Sequence, residues 1–527
     1  VYAMSNYNTI TSLAESPRQE GLLYAGTDDG IIQVTENGGE SWRKVEFGSI
    51  SGVPNTAFVN DIRADLFDSS TVYSALDNHK YGDYKPYLIK SVDKGRTWFS
   101  INGNLPNNLI TWRLVQDHIK KELLFAATEY GIYMTSNGGK QWIKLQGGLP
   151  TISFRDITIQ RREDDLVAAS FGRGFYVFDD ISVFRDFNSL KTEEIVLFKT
   201  KPAYWYMQKE EIYGQGNSKY VAKNPSFGAV FTYFLPEKLE SLKSKRQNHE
   251  KNKTNLEIKF PGWEALEKEM QQEEPSILLT ITDSNGKVIN RVEGTNKAGF
   301  NRVNWNLSYH DRSGEELKPV KVIDPWSDNT LLATPGIYIV TVSKKVDGKI
   351  TQLVAPQNFK VIPLKEGALK GASHDAIKSF IEEHLVFQED LNATSLTLTK
   401  QLLIIDAMKR ASDKAIRPSN ELTDKIHGTR IALLAIEKEL KGDKTKGDIG
   451  ERSNPTPSAA NSIGISASQS TYGPTPNHKA AIDRAKKQLE RIKIKLNKII
   501  EYEMVGIKQL LKASDAPWIE GQGLLDD

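Results

Sequence analysis

The chain has 527 residues, which is too long for one domain and predicts three or four. Its net charge is +2, with 39% hydrophobic and 26% charged residues, a balance that gives no overall attraction to nucleic acid or anionic lipid. Cysteine is absent, which excludes disulfides, thiolate metal sites and cysteine nucleophiles. No apolar run in the sequence approaches the roughly 20 residues needed to cross a bilayer.

A short motif recurs three times in the first third of the chain. Its form is (Ser/Thr)-x-(Asp/Asn)-x-Gly-x-(Ser/Thr/Gln)-Trp, and its copies, here called the box segments, span residues 35–42, 91–98 and 135–142. The tryptophans are 56 and 44 residues apart, a spacing that suits one four-stranded propeller blade. The predicted structural residues of the boxes are Asn37, Gly39, Trp42, Asp93, Gly95, Trp98, Asn137, Gly139 and Trp142.

Each position of a box segment has a physical role. Asp or Asn bonds the backbone of its own turn, and glycine takes a positive φ without a steric penalty. The tryptophan then buries a large apolar face, so we expect Trp42, Trp98 and Trp142 to be buried at equivalent positions. These features favour a structural function for the box over a catalytic one.

Paired strands are predicted just before each box, because apolar and small side chains alternate there. A fourth pair lacks the box. The pairs lie at 23–27 and 30–34, 72–76 and 87–90, 124–128 and 131–134, and 166–170 and 174–178. Residues 1–185 are therefore predicted to be the last four blades of a larger β-propeller. A strand near Val1 would belong to an earlier blade, since proteins avoid leaving long strand edges open.

The repeats resemble a large bacterial family. Residues 9–17, 23–30 and 171–180 look like the last blades of BNR/Asp-box proteins, which are also labelled sortilin-like or "glycosyl hydrolase" and are frequent in Bacteroidota. The similarity continues through Phe227–Phe234, Gly299–Trp305 and Pro335–Tyr338, and so covers about residues 9–362. In this family the hydrolase label reflects similarity of the propeller, which is an analogy of fold and does not identify a site.

The remaining sequence predicts a mainly β protein, in which the propeller is followed by an Ig-like β-sandwich and an α-helical hairpin or bundle. Within the sandwich, 283–286 has the sequence of a type I′ turn and Trp305 is expected in the core. Helical periodicity begins at Ser373, and Ser419 and Asn420 are candidate caps of a second helix. The predicted segments are a connection at 186–226, the sandwich at 227–362 with a charged insertion at 236–274, a helical region at 366–442, a flexible linker at 443–476, a helix at 477–514 and an acidic tail at 515–527.

Candidate site residues lie at the ends of the predicted blade strands. Asp28, Asp77 and Glu129 occupy the same position in successive blades, and Arg173 lies in the corresponding turn of the fourth. Such repetition favours a turn function, or a binding rim on the propeller, over a catalytic pair. A sialidase-type site would need three converging arginines, and Arg113 and Arg155 are the other candidates beside Arg173.

Two functions are compatible with these features. The first is a non-catalytic extracytoplasmic binding or scaffolding protein that holds a protein partner, or alternatively a glycan, in a surface or envelope complex, with a signal peptide upstream of this chain. The alternative is a glycoside hydrolase of sialidase or xyloglucanase type, whose catalytic carboxylates lie partly in further blades. No cofactor or metal motif is present, and the basic stretch 478–498 is interpreted as a solvated helix face that does not bind nucleic acid.

Overall fold

The computed structural model describes residues 9–522 except 48–49, 190–192, 209–221, 223, 252, 254–256, 316, 318–330, 418, 452–454 and 469. It divides into two compact units, which meet in the sequence between Glu194 and Ile195. The predicted strand at Val1 and the last five residues of the acidic tail lie outside the described residues.

The first unit consists of four antiparallel sheets in chain order, each a simple up-and-down meander. Three sheets have four strands each, which confirms the predicted blades, and the sheet of the boxless copy has three. The strands are β1 (Ile10–Glu15), β2 (Leu23–Thr27), β3 (Ile31–Thr35), β4 (Arg43–Glu46); β5 (Phe58–Ala64), β6 (Val72–Asn78), β7 (Asp83–Ser91), β8 (Phe99–Ser100); β9 (Thr111–Gln116), β10 (Leu124–Thr128), β11 (Gly131–Thr135), β12 (Ile143–Lys144); and β13 (Phe154–Gln160), β14 (Asp165–Ser170), β15 (Phe175–Phe178).

The first strand of each blade packs against the first strand of the next, in the order β1, β5, β9, β13. A bulge interrupts all four of these strands at the same place in their pairing with the second strand. The bulge also joins blades: Ile62 donates its backbone N–H to Ser12 Oγ (2.9 Å), and Leu114 donates to Asp61 Oδ2 (3.0 Å). The sequence repeat is thus a repeat of both register and packing.

The box segments form one turn three times over. In the first, the Thr35 hydroxyl donates to Asn37 Oδ1 and accepts from the Gly39 N–H, both at 2.9 Å. The same pair of bonds joins Ser91, Asp93 and Gly95, at 2.7 and 2.8 Å, and recurs in the box at 135–142. The last glycine of each turn has a positive φ of 74–101°, as expected.

The expectation that all three box tryptophans are buried is wrong for the first. Trp142 is 3% exposed and Trp98 is partly buried, but Trp42 is 44% exposed. The reason is that the tryptophan packs onto the preceding blade: the Trp142 Nε1–H donates to the carbonyl of Ile101 in the second blade (2.8 Å). Trp98 likewise packs against the core between the first two blades. Trp42 has no preceding blade among the described residues.

The second unit begins with a β-sandwich. One sheet has the order β16-β18-β21, and the other has the order β17-β24-β22-β19-β20, with β23 paired to β22. The added strands are β16 (Val196–Leu197), β17 (Ala203–Trp205), β18 (Ala229–Leu235), β19 (Ser276–Asp283), β20 (Val288–Gly294), β21 (Gly299–Trp305), β22 (Gly336–Val346), β23 (Lys349–Gln352) and β24 (Gln357–Pro363). Trp305 is fully buried in the core, as expected.

The hairpin at Asp283 is not the predicted type I′ turn. That turn needs two central residues with positive φ, whereas only Gly286 has one here (81°). The Asp283 carboxylate instead accepts the N–H groups of Asn285 and Lys287, both at 3.0 Å, and Asn285 does not have a positive φ.

The charged insertion contains two helices, α1 (Leu242–Glu250) and α2 (Trp263–Gln271). They are joined by a bidentate ion pair from Arg246 to Glu269 at 2.7 and 2.9 Å. The rest of the chain is helical: α3 (His374–Ser412), α4 (Asn420–Lys441), α5 (Lys444–Asp448), α6 (Pro457–Ser468), α7 (Pro476–Lys498), a π turn (Ile499–Glu503) and α8 (Met504–Ala513). Ser373 and Ser419 cap α3 and α4, as their positions indicated.

Part of the segment predicted as a flexible linker, helix α6, is packed in the helical core. Helix α6 contacts α3, α4 and α7, and buries Ala460, Ile465 and Ala467. Its small residues explain the incorrect prediction: a Ser-, Gly- and Ala-rich composition resembles a linker, yet it also lets helices approach closely. A Cβ built on Gly464 would lie 2.2 Å from the imidazole of His384 on α3.

Candidate functional site

The turns between the second and third strands of the blades lie at one end of the blade array, here called the rim. Asp28, Asp77 and Glu129 each lie where the second strand ends, and Phe171 takes that position in the fourth blade. The N–H groups of Asp28, Glu129 and Phe171 bond equivalent carbonyls at the start of each blade, at 2.9–3.1 Å. The predicted rim positions are therefore equivalent in structure.

The rim brings side chains from three blades into one group, here called the rim cluster: Asp77, His79, Trp112, Glu129, Arg155 and Phe171. At its centre the buried Trp112 donates its Nε1–H to Glu129 Oε2 (3.1 Å). The same carboxylate oxygen accepts the Ser153 hydroxyl (2.9 Å) and lies 3.7 Å from the Arg155 guanidinium. The indole and the carboxylate thus tie the third blade to the fourth.

Arg155 lies flat against aromatic rings. Its guanidinium carbon is 3.6 Å from the centroid of the Trp112 ring and 5.3 Å from that of Phe171. Cation–π contacts of this kind contribute about 0.5–2 kcal/mol and hold the guanidinium in place. The Arg155 side chain is still partly exposed, and Phe171 is largely exposed. The planar donor fork of Arg155 is therefore oriented before any ligand arrives.

Asp77 anchors the other end of the cluster. Its buried carboxylate accepts the Asn60 amide (2.8 Å) and the His79 backbone N–H (3.1 Å), and contacts the His79 ring nitrogen Nδ1. The His79 ring meets Trp112 edge-on, with centroids 5.7 Å apart. Asp77 and Glu129 therefore both belong to the rim cluster.

The other two predicted rim residues are not part of the cluster. Asp28 accepts the N–H of Thr9 within its own blade (3.0 Å) and has a turn function. Arg173 lies in the tight turn after Phe171, which is closed by the bond from the Ser170 N–H to the Gly174 carbonyl (3.0 Å). The Arg173 side chain is exposed beside the cluster.

The two carboxylates of the cluster are held by protein donors. Asp77 and Glu129 each accept hydrogen bonds from neighbouring protein groups. The accessible groups are instead aromatic or cationic: Phe171 and Tyr130 are exposed, and Arg155 is partly exposed with Glu129 as its ion-pair partner at 3.7 Å. Exposed aromatic and arginine side chains together are typical of interface hot spots.

A second group of charges lies on the first strands of the blades. Asp61 is buried, and its carboxylate contacts Arg63 (3.0 Å) and Arg113 (3.5 Å). Burial raises the pKa of Asp61, while the two arginines oppose this rise. Arg113 also lies 3.8 Å from the exposed Asp156. The Arg113 guanidinium thus contacts both carboxylates.

The three candidate arginines do not converge. Arg113 is paired with Asp61, Arg155 lies on Trp112, and Arg173 is in a separate exposed turn. A sialidase-type carboxylate clamp is therefore not formed by these residues.

Sequence reasoning missed three members of the cluster, His79, Trp112 and Phe171, and named Arg155 only as a candidate for a sialidase-type clamp. The strand register contains the signal that could have found them, because Thr11, Asn60, Trp112 and Arg155 take the same position on the first strand of successive blades. This position is small and polar in the first two blades, but holds a tryptophan in the third and an arginine in the fourth, which is a departure from the repeat.

Among the described residues no helix is both long and apolar enough to span a membrane. In the same part of the chain no group of three or more His, Asp or Glu side chains has the arrangement of a metal site.

Comparison with known proteins gives weak likenesses. No protein-family model matches the chain, and a search of curated proteins found no match. Among solved structures, a GH74 xyloglucanase from Xanthomonas campestris is 16% identical over 35% of this chain and 30% of its own, with a TM-score of 0.28. YCF48 from Cyanidioschyzon merolae is 16% identical over 33% and 54%, with a TM-score of 0.26.

A third likeness covers more of this chain. The extracellular domain of a putative hybrid two-component system from B. thetaiotaomicron is 12% identical over 68% of this chain and 39% of its own, with a TM-score of 0.27. The chain thus spans between 30% and 54% of the length of these three proteins. Such values do not identify a function, and the assignment of the blades rests on their sheet order and packing.

Proposed function

We propose that this chain is a non-catalytic binding protein that holds a polypeptide partner on the rim of its blades. The observation that carries the proposal is the rim cluster itself. Its carboxylates are occupied by protein donors, while Arg155 and Phe171 face solvent in a fixed arrangement. A preorganised aromatic and guanidinium pair loses little side-chain entropy on binding, which favours affinity.

An extracytoplasmic location and membership of a larger envelope complex are parts of the same proposal. They are supported by the resemblance of residues 9–362 to the BNR/Asp-box family of Bacteroidota. The sandwich and the helices of the second unit would then be further surface for assembly.

Selection from a random peptide display library tests the proposal. Peptides enriched on the wild-type chain should bind the double variant Arg155→Ala/Phe171→Ala about 30-fold more weakly, which corresponds to the roughly 2 kcal/mol of an interface hot spot. Arg161→Ala is the matched control, because Arg161 is also an exposed arginine and lies in the turn at the far end of β13. Peptides that bind both variants equally would place the binding surface elsewhere.

The hydrolase alternative predicts a different result. A glycosidase built on the first strands would turn over aryl-glycosides, sialosides or β-glucans and would lose that activity in Asp61→Asn or Asp156→Asn. We expect no turnover by the wild-type chain, because the Arg113 guanidinium contacts both of these carboxylates. Turnover that either substitution abolishes would reverse the proposal.

A further inference from the structure

The charged insertion of the sandwich displays a group of exposed apolar side chains. Trp263, the first residue of α2, is 78% exposed, and Phe260, three residues before it, is 62% exposed. Met270 lies two turns further along the same face of α2 and is 81% exposed. Large apolar side chains are usually among the more buried residues, so three of them exposed in one short insertion indicate an interaction surface. We call Phe260, Trp263 and Met270 the apolar edge.

The two helices of the insertion form an antiparallel hairpin. The Leu242 N–H at the start of α1 donates to Gln272 Oε1 just after the end of α2 (2.6 Å). The ion pair between Arg246 and Glu269 lies one turn further along both helices. The end of α1 therefore lies beside the start of α2, and Trp263 is at the tip of the hairpin.

The base of the hairpin is fixed to the sandwich. The Gln272 amide donates to Asp347 Oδ1 (2.9 Å), in the turn between β22 and β23. Lys345 of β22 pairs with Glu273 at 2.7 Å. Together with the Arg246 ion pair, these contacts give the apolar edge a firm support, so that little conformational entropy is lost when it binds.

The geometry of the two rings argues against a glycan as the ligand. The rings of Phe260 and Trp263 contact each other edge to face, with centroids 5.1 Å apart and planes at 70°. Pro261 and Gly262 join them, and Gly262 has a φ of 90°, which other residues adopt only with strain. Two rings at that angle form a wedge, and not the single flat face on which a sugar ring stacks.

The link between the two helices carries an excess of positive charge. Residues 251–262 contain Lys251, Lys253 and Lys259 against one carboxylate, Glu257. All three lysines are exposed. Helix α2 itself carries more glutamate than lysine, so the positive excess is confined to the link beside the two rings. A surface that binds the wedge is therefore expected to be apolar beneath an anionic layer.

We propose that the apolar edge attaches this protein to an anionic lipid surface, with Phe260 and Trp263 at the level of the headgroups and the lysines of the link on lipid phosphates. Tryptophan favours the interface between membrane and water, and lysine can lay its stem along apolar surface while its ammonium group reaches the headgroups. A lipid layer deforms around an exposed wedge, whereas a protein partner would need a matching pocket. So small an apolar area gives weak and reversible attachment. The proposal does not depend on the rim cluster, which belongs to the first unit.

Flotation of the 527-residue chain with lipid vesicles at millimolar lipid tests the proposal. The wild type should float with vesicles of equal parts phosphatidylethanolamine and phosphatidylglycerol, and less with phosphatidylcholine alone. Phe260→Ala/Trp263→Ala should bind at least about tenfold more weakly, because it removes most of the apolar surface at the tip. Tyr502→Ala is the matched control, since Tyr502 is an aromatic residue 66% exposed in the π turn of the helical region.

Two further variants separate lipid insertion from charge attraction alone. Replacing Lys251, Lys253 and Lys259 with Gln should reduce binding to the anionic vesicles to the level measured with phosphatidylcholine. Trp263→Phe should still bind, but should lose the quenching of tryptophan fluorescence that brominated acyl chains cause in the wild type. All the substituted side chains are exposed, so the circular dichroism of the variants should match that of the wild type.

Three results would overturn the proposal. The first is no flotation of the wild type with either kind of vesicle, in which case the apolar edge would be a contact for a protein. The second is equal flotation of the wild type and Phe260→Ala/Trp263→Ala. The third is quenching by brominated lipid that persists in Trp263→Phe, because it would place a different part of the chain in the membrane.

Discussion

Replacing the box tryptophans with alanine should destabilise the blades by different amounts, although all three occupy the same motif position. The loss should be largest where the tryptophan packs against a preceding blade. Trp142 is almost fully buried, and its Nε1–H donates to Ile101. A tryptophan buries up to about 250 Å², which at about 25 cal/mol per Å² gives an upper bound of about 6 kcal/mol. Measured losses for buried tryptophans are about 3–5 kcal/mol, and we expect Trp142→Ala to lie in that range.

Trp42→Ala should cost less, although the motif is the same. Trp42 is 44% exposed, so it buries only about half of its surface. We expect a loss of about 1–2 kcal/mol, with Trp98→Ala between the two.

Hydrogen exchange measured by mass spectrometry is the appropriate assay, because a chain with two compact units need not unfold in one step. Peptides from β9–β11 should lose protection in Trp142→Ala, and peptides from β2–β3 should change much less in Trp42→Ala. Equal losses for the two would refute the reasoning, because they would show that the tryptophan stabilises only its own turn.

Other predictions concern stability and its pH dependence. Burial lowers the pKa of His384 to about 4, below its value of about 6.5 in the unfolded chain. As the pH falls from 6.5 to 4, His384 therefore binds a proton in the unfolded chain before it does so in the folded one. The free energy of unfolding of the helical core should fall by about 3 kcal/mol over this range. His384→Leu should remove that loss in denaturant titrations at the two pH values, and an unchanged loss would contradict the assignment. Gly464→Ala should destabilise α6 by a clash with His384, seen as faster exchange of α6 amides than in a Gly447→Ala control. Arg185→Ala should cost about 3 kcal/mol in exchange of β14, because it removes the guanidinium that pairs with Asp164 beside that strand and with the buried Asp117; normal protection there would contradict this.

The parts of the fold that depend on neighbouring residues in sequence were predictable. The box turn is closed by bonds within five residues, so Thr35, Asn37 and Gly39 were sufficient to indicate it. Strand pairs and helix caps follow from equally local patterns. By contrast, the burial of Trp42 and Trp142 depends on a neighbouring blade, which no local pattern contains.

The rim cluster could be predicted only in part, for the same reason. Asp77 and Glu129 were identified because they repeat with the blades. Trp112, Arg155 and Phe171 come from two blades and meet only through the register of the strands. Helix α6 shows that prediction from composition also fails, because a segment rich in small residues can be either a closely packed helix or a linker.

The most direct test of the proposed function is to locate a bound peptide on the chain. A peptide selected on the wild type should protect amides near the rim cluster from hydrogen exchange, in residues 77–81, 129–131 and 171–174, and should leave the turn at 161–164 at the far end of the fourth blade unchanged. Protection confined to that far end, or to the sandwich and helices, would contradict the account.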